Sequence, residues 1–252
     1  MDILPIIISI VAVAISLYTV FYQAKISKQQ QFESTFFNLL ASIRELVNNT
    51  QGEVCKFTKL ESDYNTYTSG TKRDGPYKGL EYYTKANLAL QRRIWKALAE
   101  AQLSGELGRN ASEKERLNIY RKYSFQAYND FFDDHVSELA HYFRFIYNIV
   151  SLVNDTNDLS IEVKKKYINF IQAQMSADEL SLLFYNGIGK YGSKFYDLME
   201  MYNLLENIDR ERTQNLIDVF YQFYPKTDFR FIRIEKAEEL LLTQIEINKS
   251  KK

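Results

Sequence analysis

The side chains that could do chemistry in this chain are concentrated between His141 and Asn186. His141, Arg144, Asn148 and Ser151 are spaced three, four and three residues apart, which aligns them along one stripe of a helix. An imidazole and a guanidinium one turn apart could act as a proton carrier and a stabiliser of developing phosphate charge, so His141 and Arg144 are the candidate catalytic pair. Asp130, Asp134 and Glu138 follow one another at four-residue steps and would fall in line with His141 if the helix were continuous. Three carboxylates and an imidazole could ligate a hard divalent cation, but exposed acidic rows are most simply solvated faces. Neither a metal nor any other cofactor is expected.

A second constellation runs through Gln174, Ser176, Glu179, Tyr185 and Asn186. Ser176-Ala-Asp-Glu179 has the spacing of a capping box, and Met175 and Leu180 occupy the staple positions around it. Ser176 and Glu179 are therefore predicted to start a helix, not to supply a nucleophile and a base. Asn148, Gln174, Tyr185 and Asn186 remain as candidate binding residues, Gln174 because an amide before a tight turn can bridge helices.

The elements that would position these residues are mostly helical. The chain has 252 residues with 15% aromatic content, enough for a substantial core, and only three prolines and nine glycines. Thirty-two basic residues balance thirty-two acidic ones, so no overall field draws nucleic acid to the chain. The single cysteine, Cys55, forms no internal disulfide, in keeping with a reducing compartment. Ile3 to Tyr22 is an uncharged apolar run of the length that crosses a hydrocarbon core of about 30 Å. We read residues 1–24 as a transmembrane anchor, because Asp2 stands where a cleaved signal would carry a basic residue. Lys25 and Lys28 follow the span, which places the C-terminal side in the cytoplasm.

Residues 25–248 then form a cytosolic multi-helix bundle, and Lys249-Ser-Lys-Lys252 is a basic tail with weak attraction to anionic lipid. Phe32, Phe36, Leu39, Leu40, Ile43, Leu46 and Val47 make one apolar helix stripe. Ser62 to Gly79 reads as a loop and Leu80 to Leu103 as a helix ending at Gly105. Ser112-Glu-Lys-Glu115 caps a further helix, rich in aromatic residues of core type, that leads towards His141. Leu139, Tyr142, Phe143, Ile146, Val150 and Val153 mark the buried face of the next. Ser160 caps a helix carrying Tyr167 and Ile168, Asn186-Gly187 stops the one begun at Ser176, and Ser193 caps another. Asp209 opens a helix ending before Pro225, 229–234 has the composition of a short strand, and Ala237 to Ile247 is a last helix.

These residues resemble a known family. His141-Tyr-Phe-Arg144-(x2)-Tyr147, Tyr167 with Gln172-Ala-Gln174-(x)-Ser176-(x2)-Glu179-Leu180, Leu182-Leu-Phe-Tyr185-Asn186, Phe195 and Tyr202 are similar to the signature of the AbiC-type phage abortive infection proteins. The N-terminal span and the Phe36-Phe37-(x)-Leu39-Leu40 segment fit the same plan, and Gly79-Leu-Glu-Tyr-Tyr83 is a looser match. Gln172 and Met175 depart from the Arg-Ala-Gln-Leu-Ser form, so no basic side chain stands at 172. The resemblance implies antiphage defence, in which infected bacterial cells die or arrest before phage release, and implies no chemistry.

The sequence therefore predicts a membrane-anchored, all-α antiphage effector at the bacterial inner membrane. It would respond to a phage-derived trigger or a co-encoded defence component, and act with the lipid bilayer as a homo-oligomer, since one span cannot enclose a pore. A helical ribonuclease is the enzymatic alternative, although His141 precedes Arg144 where common helical ribonucleases have the reverse order. A membrane scaffold for another defence component is the third reading.

Overall fold

In the computed structural model the described residues are 3–59, 67–108, 110–213 and 221–239. The apolar run and the stripe behind it form one unbroken helix, α1, Ile3–Asn49, with no proline or glycine in its interior after Pro5. Every side chain from Ile7 to Gln31 is exposed, and the helix is long and apolar enough to cross a membrane. The chain divides into two compact units, Met1–Ser42 and Ile43–Lys252.

In the second unit the end of α1 is followed by a two-stranded antiparallel hairpin, β1 Gln51–Lys59 and β2 Tyr67–Lys78, with Gln51 opposite Lys78 and register shifts at Gly52/Val54 and Cys55/Phe57. The loop predicted over Ser62 to Gly79 is thus largely strand, with residues 60–66 outside the described part. Two strands with no third strand beside them among the described residues hold together by backbone pairing, and β2 carries none of the apolar alternation that marks a half-buried strand. Gly79 closes the hairpin with φ +60, a left-handed conformation that favours glycine, and its amide donates to the Thr50 carbonyl at 2.9 Å.

Helices α2 Leu80–Leu103, α3 Glu113–Asp134, α4 Val136–Asp155, α5 Ile161–Ala173, α6 Ala177–Ile188 and α7 Ser193–Met201 build the rest. The capping boxes at Ser112 and Ser176 and the Ser160 cap are formed as their spacing predicts. Buried faces of α2 (Tyr82, Tyr83, Leu90, Ile94), α3 (Tyr128, Phe131) and α4 (Leu139, Tyr142, Ile146, Val150) surround α6, which is buried along its length from Asp178 to Gly187. A helix apolar on nearly all sides belongs inside, and Leu180, Leu182, Leu183, Phe184 and Tyr185 give α6 that character.

Four expectations change. The helix leading to His141 is broken at His135, buried against Phe131 with ring centroids 4.5 Å apart, so Asp130 and Asp134 lie on α3 while Glu138 and His141 lie on α4. Asn186-Gly187 does not stop α6, which runs to Ile188; the glycine serves close packing, since a Cβ there would collide with Met199 and the Tyr224 hydroxyl. Ser193 is the first helical residue of α7 and Gly192 its cap position. The strand read at 229–234 is helical from 230 to 239: Phe229 is buried alone, and Arg233 reaches Glu206 and Asp228 as a helical side chain would. Of the helix expected from Asp209, a turn over 209–213 and a 3-10 turn Tyr221–Phe223 are seen; Leu216 and Val219 lie outside the described residues, as do Leu240 to Ile247 and the basic tail.

Two outcomes follow from this packing. Gly187→Ala should cost about 1–3 kcal/mol in a denaturant titration, the range for overpacking a filled core. Burial pushes the phenols of Tyr83, Tyr128, Tyr142, Tyr185 and Tyr224 above their ordinary 10.0. The folded state then holds these protons more tightly than the unfolded chain, so stability is full below about pH 10 and falls as pH rises beyond it, by about 1.4 kcal/mol per pH unit for each such phenol. Unfolding midpoints measured through the alkaline range should show this fall, with a shallower slope in Tyr142→Phe.

Candidate functional site

The first turn of α6 carries two adjacent carboxylates that are both buried, Asp178 and Glu179. Glu179 is fully enclosed, and burying an ionised carboxylate is costly unless charge or hydrogen bonds compensate it. Its Oε2 accepts from the Ser176 amide at 2.8 Å, and the Ser176 hydroxyl accepts from the Glu179 amide at 3.2 Å. The same Oε2 lies 3.5 Å from the Arg44 guanidinium, on the last turns of α1, whose neighbours Ile43 and Val47 are buried. Tyr142 and Tyr83 close over this pair with ring centroids 5.0 Å apart, and the Tyr83 hydroxyl is 3.2 Å from the Thr50 hydroxyl. Burial first and the Glu179 charge second push the Tyr142 phenol well up, so a neutral ring faces the carboxylate.

Asp178 is held from the other side. Thr84 donates to it at 2.7 Å and Asn87 at 2.8 Å, both from α2. Asn87 in turn accepts from Gln91 and from Ser181 at 2.9 Å, and Asn87 and Gln91 both donate to the Arg212 carbonyl. The segment opened by the capping box is thus tied to α1 through Glu179 and to α2 through Asp178. Sequence reasoning explained Glu179 as a cap and missed Arg44, because a lone arginine beside an apolar stripe gives no local sign of a partner so distant in the chain.

Of the stripe on α4, His141, Arg144 and Asn148 are all exposed, and His141 and Arg144 open into different clefts. His141 borders a hollow of about 330 Å³ with Leu46, Asn49, Thr50, Ser137 and Glu138. Arg144 borders a cleft of about 290 Å³ shared by α4, the end of α6 and the start of α7. Asn186 lines this second cleft, 3% exposed, with its amide nitrogen donating to the Tyr128 hydroxyl at 2.7 Å. Gly192 lies against Asn186 so closely that any Cβ there would strike the Asn186 carbonyl. Lys194, which sequence reasoning missed, joins Arg144 at this cleft. Gln174 caps the end of α5, while its neighbour Gln172 donates to the Leu204 carbonyl at 2.9 Å. Tyr185 is fully enclosed in α6. The break at His135 leaves Asp130, Asp134, Glu138 and His141 without a shared face. Among the described residues no group of three or more His, Cys, Asp or Glu side chains is placed to hold a metal ion.

Geometry therefore defines a helical domain with a buried carboxylate node at one end of α6 and a small cation-lined cleft at the other; the same chain carries an N-terminal helix long and apolar enough to span a membrane. Residues 134–213, which contain α4 to α7, Asp178 and Glu179 and most of the cleft, match the model of a family described as putative phage abortive infection protein. The resemblance read from His141 to Tyr202 falls within that match. No curated protein and no solved structure matches the chain.

The node predicts unequal effects at its two ends. Arg44→Ala leaves Glu179 buried without its cation, and since Arg44 is itself 35% exposed the loss should be about 1–3 kcal/mol, below the value for a fully buried pair. Glu179→Gln removes the charge and should cost less in the Arg44→Ala background than in the native one. A double-mutant cycle read by chemical denaturation should give a coupling of about 0.5–3 kcal/mol; additive losses would show that the two side chains do not interact.

Proposed function

We propose that this protein is a membrane-anchored effector of abortive infection. Residues 1–24 hold it in the bacterial inner membrane with the domain in the cytoplasm, and an infection signal makes copies rearrange or assemble and breach the bilayer. The observation that carries the reading is the Arg44–Glu179 pair: the helix that contains the apolar segment also supplies the cation for the buried carboxylate of the matched segment. Arg44 lies on the last turns of α1, the helix whose N-terminal part carries the apolar segment, so a change around Glu179 acts on that end of α1. The exposed apolar surface from Ile7 onward supports the anchor, because soluble proteins rarely leave an apolar stretch of that length uncovered. The family match supports phage as the trigger's source.

A phage challenge tests this. Cells carrying the full chain should survive as a population and lose membrane potential individually after infection, as a potential-sensitive dye would report. Cells carrying the chain without residues 1–24 should do neither, at matched expression. Protection that persists without those residues, or protection with membrane potential intact, would overturn the reading.

A further inference from the structure

We propose that the cleft between α4 and the α6–α7 turn binds a small nucleotide, a phosphate ester with one planar base. Two cations from different helices, Arg144 and Lys194, stand at this cleft, and neither forms an ion pair or hydrogen bond among the described residues. Surface cations are ordinarily solvated, but two converging on one concavity make a site for an anion, and a guanidinium fits the paired oxygens of a phosphate. The start of α7 opens onto the same cleft with Gly192 at its cap position and no side-chain cap, which leaves amide donors for those oxygens.

Much of the remaining lining is aromatic. Tyr147 meets Phe195 edge to face with centroids 5.6 Å apart, and Tyr191 lies over Phe132 at 4.9 Å. Tyr191 is fixed by its hydroxyl, which donates to Asp133 at 2.7 Å; Lys190 also reaches Asp133 at 3.0 Å, so the acidic group near the rim is already engaged. A planar base stacks on such rings whatever its identity. Inside the cleft Asn186, nine-tenths buried, uses its amide nitrogen on Tyr128 and has no partner for its carboxamide oxygen among the described residues. An acceptor left open this way on a buried residue suits the amino group of a base. The volume, about 290 Å³, lies at the small end of ligand pockets, roughly 300–1,000 Å³, which favours a mononucleotide over a polynucleotide strand.

Binding by itself needs nothing from the membrane reading, whereas the assignment of this nucleotide as the trigger rests on it. Purified full chain in detergent should be titrated calorimetrically with AMP, GMP, CMP and UMP, with adenosine and inorganic phosphate as part-ligands. At least one of the four should saturate a single site per chain, with the matching part-ligands bound more than about tenfold more weakly. Arg144→Gln and Lys194→Gln should each weaken it about tenfold or more, the loss of one charge-assisted hydrogen bond, with the melting temperature unchanged because neither side chain has a partner to lose. No saturation by any of the four, or an affinity indifferent to both substitutions, would overturn the site. A phage challenge with Arg144→Gln on a chain that keeps residues 1–24 then separates the two ideas. Lost protection supports the nucleotide as trigger. Lost binding with full protection overturns that role and leaves the anchor reading standing.

Discussion

Two neighbouring carboxylates, Asp178 and Glu179, must be taken out of water at the start of α6, and the arrangement of the domain answers most of that demand, leaving Glu179 Oε1 without a hydrogen bond among the described residues. An unpaired buried carboxylate would cost several kcal/mol, comparable with the whole margin of a folded domain. The compensation cannot come from α6 itself beyond its own cap, so it is drawn from elsewhere: a guanidinium from α1, a hydroxyl and an amide from α2, and through that amide a carbonyl near Arg212. Apolar packing of α6 could be satisfied by many relative placements of the surrounding helices. These directional contacts accept few of them, and so fix where the last turns of α1 and the start of α2 end up around the central helix.

Polar and apolar contributions divide the work between the two ends of α6. At its N-terminal end the interior is wired by hydrogen bonds across Asn87, Gln91 and Ser181. At its C-terminal end contact is steric: Gly187 admits the Tyr224 hydroxyl, which donates to the Phe184 carbonyl, and Tyr224 stacks on Tyr196 at 4.9 Å. Asn186, one residue before that glycine, faces the cation-lined cleft. The central helix is therefore in contact with a charge node at one end and a ligand-sized cleft at the other, a geometry in which an event at the cleft has a short, well-packed route to the node.

Much of this fold is legible in the sequence where the signal is local. The capping boxes at Ser112 and Ser176 and the Ser160 cap depend on residues three apart, and α2 takes the bounds its periodicity predicts. What is not legible depends on partners distant in the chain. Nothing near Arg44 announces Glu179, and nothing near Lys194 announces Arg144. The hairpin escaped because strands joined only to each other need no apolar alternation. Phe229 to Ile234 misled because β-branched and aromatic residues also serve a helix when the aromatic residue just before it, Phe229, is buried and one of the intervening arginines, Arg233, finds acidic partners. The break at His135 was hidden because this residue ends one helix and stands at the cap position of the next with no proline or glycine and no side-chain cap to mark it.

The hairpin also has a consequence for how this chain can vary. Its two feet are joined directly, Gln51 opposite Lys78 and the Gly79 amide on the Thr50 carbonyl, so the path from α1 to α2 is already closed before the strands leave it. Everything between those feet is an excursion whose length is decoupled from the positions of the helices on either side. Because the entropy of closing a loop grows only slowly with length, about 0.6 kcal/mol for each doubling, chain can be added to or removed from this excursion at little thermodynamic cost. Relatives of this protein are free to differ there in size while keeping the junction, and with it the placement of Arg44, unchanged.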